Sequence, residues 1–273
     1  MLLAQITDPH VKAGRRLAYG FVDTAGLLEA AVDHVNALRP AIDATLVTGD
    51  LTDTGGPDEF AALRPILDRL AMPWYVVPGN HDRRDTFLAA FADRLYLAGC
   101  RDFVQYAVDD HPLRLVGLDT TVDGQPHGFL GRDRLDWLDA CLAAAPDRPT
   151  LIFMHHPPFE TGIRHMDVQN LRNGADLFDV LARHPQVRHV ACGHVHRPSE
   201  TVIRGIGVSI APNSAHAVTL DLDPAGPSSF TLDPPLVRLF RYGTDGLVVS
   251  HVSAVGAFDG PHPFFAADGS LVD

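Results

Sequence analysis

The chain is most constrained by a recurrence. Short, nearly continuous apolar runs each end in a polar residue that can hold a metal. The runs cover residues 2–7, 44–48, 74–77, 150–154 and 187–192. They are followed by Asp8-Pro9-His10, Gly49-Asp50, Gly79-Asn80-His81-Asp82, His155-His156-Pro157 and Gly193-His194-Val195-His196. Such runs suit strands buried on both faces, as in a parallel sheet. A sixth run, 113–118, is of the same kind. In an open α/β sheet the carboxyl edge of the strands is where ligands bind. Five strand exits rich in carboxylate, amide and imidazole therefore converge on one crevice.

Helical patterns lie between the runs. Leu27, Leu28, Ala31, Val32, Val35 and Leu38 follow a helical spacing, with Thr24 as the expected cap and Pro40 beyond the end. Phe60, Leu63, Ile66, Leu67 and Leu70 form a second pattern, interrupted by Pro65, where a kink or a fresh start is expected. Patterns around Phe87, Leu135 and Leu177 follow. Alternating strands and helices specify an α/β architecture. Past residue 200 the strand-like segments 201–210, 216–222, 230–242 and 247–253 succeed one another through Pro/Gly turns. The reading is a core over residues 1–215 and a C-terminal sheet extension over 216–273. The extension serves as a cap or association arm rather than an independent domain.

The length of 273 residues supports a core without staples. Against 34 Asp and Glu there are 22 Lys and Arg, a formal charge of −12, so binding duplex nucleic acid by counterion release is not expected. No apolar run is long enough for a transmembrane helix, and the N-terminus does not read as a signal peptide. Cys100, Cys141 and Cys192, odd in number and widely spaced, read as core or boundary residues in a reducing cytoplasm. The 15 histidines are the unusual count, because histidine is the commonest metal ligand.

The exits fit the logic of a two-metal hydrolase. Two cations about 3.5–4 Å apart clamp phosphoryl oxygens and lower the pKa of a shared water. One carboxylate must bridge them, and Asp50 is the natural candidate. One metal then takes Asp8, His10, Asp50 and His196; the other takes Asp50, Asn80, His155 and His194. Mixed nitrogen and oxygen ligands suit Fe, Mn, Zn or Co better than Ca or Mg. Lys12, Arg15 and Arg16 follow the first block closely and could favour dianionic monoesters.

Taken jointly and in this order, the five blocks resemble the signature of the calcineurin-like metallophosphoesterases. The resemblance implies a four-layer α/β/β/α sandwich and hydrolysis of phosphoesters at a dinuclear centre. It implies His81 as a catalytic group that is not a ligand, oriented by Asp82. The segment Tyr19-Gly20-Phe21-Val22-Asp23 and the block 153–158 are similar to the glycerophosphodiesterase and class III cyclic-nucleotide phosphodiesterase branch. That likeness implies Tyr19, Phe21, Asn80, His81 and His216 as substrate contacts, small phosphodiesters as substrates and attack by a metal-held hydroxide. It also implies a cytoplasmic homo-oligomer associating through the C-terminal region. A phosphomonoesterase and a non-catalytic scaffold are the alternatives, although a scaffold is expected to have lost ligands. Single blocks carry little weight, since a lone Gly-Asp is usually a turn. His156 reads as structural, and His34, His111, His184, His189, His251 and His262 as surface or interface residues. His127 and His165 lie in loops on the pocket side.

Overall fold

Parallel strands joined through helices build both halves of the molecule. The computed structural model describes residues 1–272. Strands β1 (Leu2–Ile6), β2 (Ala44–Thr48) and β3 (Trp74–Val77) run parallel, linked by helices α1 (Thr24–Ala37) and α2 (Pro57–Leu67). Helix α3 (Arg84–Ala90) follows β3, and a short antiparallel strand, β4 (Tyr106–Val108), leads into the second half. There β5 (Arg114–Leu118), β6 (Thr150–Met154) and β7 (Val187–Cys192) again run parallel. Helices α4 (Arg132–Ala143), α5 (Arg164–Asp167) and α6 (Gly174–Leu181) occupy the connections. The hairpin β8 (Ser199–Ile203) and β9 (Ile206–Ile210) closes this sheet, with β9 parallel to β7. After the two-residue strands β10 (Ala217–Val218) and β11 (Phe230–Thr231), β12 (Leu236–Tyr242) and β13 (Val248–Ala254) return to the first sheet.

The sheet orders are β13-β12-β1-β2-β3 and β4-β5-β6-β7-β9-β8. Their alternating side chains make three apolar layers. On the second sheet, Leu115, Leu151, Phe153 and Ala191 face the first sheet. Their neighbours Val116, Ile152, Met154 and Val190 pack with Leu135, Leu138 and Leu142 of α4 and Leu177 and Leu181 of α6. On the first sheet, α1 and α2 contribute Leu28, Val32, Phe60 and Leu63 to the core. Helices, sheet, sheet and helices form the four layers. The amide of Gln5 crosses the interior to the Cys192 carbonyl at 2.9 Å.

Several local expectations are corrected. Asp23, not Thr24, caps α1 by accepting the Gly26 N–H at 2.9 Å; Thr24 instead donates to the His10 carbonyl at 3.1 Å. Helix α2 passes through Pro65 without ending, because the proline lies two residues from its C-terminus and disturbs only the last turn. The run 201–210 is a hairpin, since Arg204 and Gly205 both take positive φ. The run 230–242 is broken at Pro234-Pro235, neither of which can donate to a ladder. His184 and His189 are buried rather than superficial. β12 pairs antiparallel with β1, so the C-terminal extension supplies an integral strand of the first sheet. Beyond β13, Phe258, Phe264 and Phe265 are exposed. Among the described residues no helix is long and apolar enough to cross a membrane.

Candidate metal centre

All seven residues expected as ligands meet where the carboxyl ends of the two sheets face each other. Asp8, His10, Asp50, His155, His194 and His196 are buried, and Asn80 is partly so. His10 Nε2 lies 3.2 Å from His196 Nε2 and 3.7 Å from Asp50 Oδ2. His155 Nε2 lies 3.4 Å from Asp50 Oδ2, 3.1 Å from Asn80 Oδ1 and 3.3 Å from His194 Nδ1. Asp50 thus stands between two clusters, and His196 Nε2 reaches Asp8 at 3.4 Å.

The backbone is bent to achieve this. Asp8, His10, Asp50, His194 and His196 all have positive φ, between 44° and 75°. Aspartate and histidine tolerate this region better than most residues, and its clustering here marks a functional constraint. Glycine is needed beside them. A Cβ on Gly49, whose φ is 88°, would lie 2.4 Å from His155 Nδ1, and one on Gly193 would lie 2.1 Å from Thr7 Oγ1.

Hydrogen bonds aim the imidazoles. His155 Nδ1 donates to the Thr48 carbonyl at 2.8 Å, and His196 Nδ1 sits 3.1 Å from the His216 carbonyl. Each bond turns Nε2 toward the carboxylates, the arrangement that orients histidine for metal. His194 Nε2 is buried with no hydrogen-bond partner. Burial works against a charged His155, but Asp50, Asp8 and the Thr48 carbonyl together overcome it and raise the ring to about 9. Burial, with the charge on His155, takes His194 down to about 3. Imidazole nitrogens in mutual contact, His10 Nε2 with His196 Nε2 and His155 Nε2 with His194 Nδ1, fit a site made for cations, because a cation between them satisfies both lone pairs.

Around this centre the expectations divide. His81 donates its backbone N–H to Asp50 Oδ1 at 2.9 Å, and its ring Nδ1 meets the Asp53 carbonyl at 2.7 Å. The Asp50 carboxylate is the main cause that raises the His81 pKa. Asp82 does not orient His81, contrary to expectation. Its carboxylate accepts from the N–H groups of Leu51, Thr52 and Gly79 and from Thr52 Oγ1, tying two ligand loops together. Burial, then the Asp50 charge, raises Asp82 to about 6. His216 and Tyr19 line the open side of the centre; Phe21 stands outside that wall, with its ring 6.1 Å from Phe230. His165 also lines it, whereas His127 does not. His156 is held between Thr120 Oγ1 at 2.8 Å and the Pro126 carbonyl at 3.2 Å, a structural role. Lys12 and Arg15 are turned to Asp53 and Glu29, so neither adds a free cation to the centre.

Sequence reasoning missed Asn213, whose amide donates to the Asp8 carbonyl at 2.7 Å and contacts His196 Nδ1 at 3.0 Å. The signal was present: Pro212-Asn213 follows the exit of β9. It also missed Phe230, stacked on Tyr19 at 4.4 Å between ring centres, because a two-residue strand carries no pattern that says which site its side chains face.

The chain belongs to the calcineurin-like phosphoesterase family, whose model matches residues 1–198. Over its full length it is 38% identical to the full length of a probable glycerophosphodiester phosphodiesterase GpdQ of Arcobacter nitrofigilis. It is 34% identical to a 3',5'-cyclic adenosine monophosphate phosphodiesterase CpdA of Pseudomonas aeruginosa, over 93% of this chain and 90% of the relative. Its fold is shared with a dimetal phosphatase from Danio rerio, with a TM-score of 0.63 at 17% identity over 94% of this chain and 99% of that one.

Proposed function

We propose that the protein is a phosphoric diester hydrolase acting on small phosphodiesters, glycerophosphodiesters or 3',5'-cyclic nucleotides, with two divalent cations. The relatives named as phosphodiesterases support the substrate class. The observation that carries the reading is the meeting of seven nitrogen and oxygen donors, Asp50 among them, with His10 Nε2 3.2 Å from His196 Nε2 and His155 Nε2 3.3 Å from His194 Nδ1.

Asp8, His10, Asp50 and His196 would hold one cation, and Asp50, Asn80, His155 and His194 the other. Fe, Mn, Zn or Co suits this donor set. Bound there, such ions supply Lewis acidity toward the phosphoryl oxygens and lower the pKa of water. The protein's own part is orientation and proton transfer. Thr48 and His216 carbonyls fix the tautomers of His155 and His196. His81, held through Nδ1 by Asp53, keeps Nε2 free to stabilise or protonate the leaving oxygen. Tyr19, His216 and Phe230 offer an aromatic wall to one substrate arm, and Asn80 and His81 line the same cavity. The exposed phenylalanines after β13 support association through the C-terminal region, and the three free cysteines are consistent with a reducing cytoplasm.

The test is hydrolysis of bis(p-nitrophenyl) phosphate. Chelator-stripped protein should lose it and regain it with Mn, Co or Zn. Undiminished turnover by metal-free protein contradicts the proposal.

A further inference from the structure

Of the parallel strands β1, β2, β3, β5, β6 and β7, only β5 ends without a proposed ligand. Its exit, Asp119-Thr120-Thr121, is nonetheless buried, and its hydrogen bonds run to both halves of the molecule.

In the direction of the first sheet the exit holds Arg84, the first residue of α3. The Asp119 carboxylate, fully buried, accepts the Arg84 Nε–H at 2.7 Å. It is itself fixed by the N–H groups of Val104 at 3.1 Å and Thr121 at 2.9 Å. Arg84 also donates to the Thr121 carbonyl at 2.8 Å and to Thr121 Oγ1 at 2.6 Å. Its guanidinium lies 5.0 Å from the Phe103 ring. The turn of Asn80 and His81, just before Arg84, needs this tie. Both residues line the cavity of about 450 Å³ that holds Tyr19 and Phe230. Both also line a second cavity of about 870 Å³, bounded by α3 and the loops 101–102 and 121–124. Bordered by two cavities, the turn depends on its bonds. The Gly79 N–H on Asp82, at 3.0 Å, holds its start, and Arg84 holds its end.

Within the second half the exit holds His156. Thr120 Oγ1 meets His156 Nδ1 at 2.8 Å, and the His156 backbone N–H donates to the same oxygen at 3.3 Å. The His156 ring packs against those of His155 and His194, each at 4.8 Å between ring centres. The exit thus reaches Asn80 through Arg84, and His155 and His194 through His156. With the shared Asp50 set apart, these are all the donors proposed for one cation. Among the described residues no hydrogen bond of Arg84, Asp119, Thr120, Thr121 or His156 reaches Asp8, His10 or His196, the donors of the other.

Resting on the two-cation reading above, we infer that Arg84, Asp119 and Thr120 are positioning residues for one cation site alone, that of Asn80, His155 and His194. Side chains that orient ligands from behind set how tightly a metal is held, by about 10–100-fold. The two cations therefore respond differently to the loss of these residues.

The experiment titrates metal-stripped protein with Mn by calorimetry and locates the ions by anomalous diffraction from crystals grown at limiting Mn. Thr120→Val keeps the side-chain volume and removes the hydroxyl, and Arg84→Met removes the tie to Asp119. In each variant the affinity of the Asn80, His155 and His194 site should fall about 10–100-fold, while that of the Asp8, His10 and His196 site stays within about twofold. At limiting Mn the anomalous peak beside His155 and His194 should weaken, and the peak beside His10 and His196 should persist. Thr120→Ser, which keeps the hydroxyl, should restore the parent affinity. If Arg84→Met does not fold, the Thr120 pair decides the matter alone. Equal losses at both sites, an unchanged affinity at the Asn80 site, or a Thr120→Ser variant as weak as Thr120→Val overturns the inference. A parent protein that takes up fewer than two Mn ions at saturation overturns the two-cation reading instead.

Discussion

Asp50 carries two loads, and they can be separated. Its carboxylate lies between the two histidine clusters, and its backbone has φ of 47°. A side chain with Cβ costs roughly 1 kcal/mol or more in that region, and glycine does not. In metal-free protein, Asp50→Gly should therefore unfold at higher denaturant than Asp50→Ala, by about 1 kcal/mol, while both variants lose metal relative to the parent. Wild-type metal content in either variant contradicts the bridging role of Asp50. Asp8, His10, His194 and His196 share this conformation, which no single-residue signal in the sequence shows; only their chemistry at the strand exits was legible. The orientation of His81 was read from likeness and was wrong in detail, because backbone carbonyls such as that of Asp53 leave no trace in side-chain patterns.

His189 gives a separate prediction at the same scale, away from the centre. Burial first, then the Arg238 charge, lowers its pKa from 6.5 to about 4. Unfolded chains bind a proton there near pH 6.5, whereas the folded protein does not until about pH 4. Acidification through that window therefore favours unfolding, and the stability held at neutral pH is lost progressively between the two values, at most about 3 kcal/mol. Denaturant unfolding at pH 7 and pH 4.5 should show a smaller acid loss in His189→Gln than in the parent. Equal losses contradict the assignment.

Among elements, the parallel strands were the most legible, because burial on both faces forces continuous apolar runs with sharp ends. β4, only three residues long, was invisible to that logic. The late strands were misjoined because the hairpin turn at Arg204-Gly205 and the break at Pro234-Pro235 lie within otherwise strand-like runs. β12 shows what ties these late elements to the core. Its Arg238, 1% exposed, bridges the sheets by bonding Glu200 of β8, Ser250 of β13 and, at 3.0 Å, the Ile210 carbonyl of β9. Glu200 is largely exposed and can be rehydrated, whereas Arg238 cannot. Removing the carboxylate leaves a buried charge short of partners, while replacing the arginine by an apolar side chain does not. Glu200→Ala should thus destabilise more than Arg238→Met, by about 1 kcal/mol or more in denaturant unfolding. The reverse order contradicts this account of the sheet junction.

At the scale of the molecule, the two halves are each a small α/β unit, and neither holds the whole centre. Asp8, His10, Asp50 and Asn80 come from the first sheet, and His155, His194 and His196 from the second. The packing of Leu3, Phe153 and Ala191 between the sheets brings the two sets within bonding range. This assembly was legible because ligand types recur at every exit that contributes, from one end of the core to the other. The cavities were not legible, because the loops 101–102 and 121–124 carry no period and the pattern of α3 does not show which site its polar face lines. The central claim is that these seven side chains hold two cations between the sheets. Anomalous diffraction from crystals of Mn- or Zn-loaded protein measures it most directly. Two peaks sharing Asp50, one against His10 and His196 and one against His155 and His194, are predicted. A single peak, or peaks elsewhere on the molecule, would contradict the account.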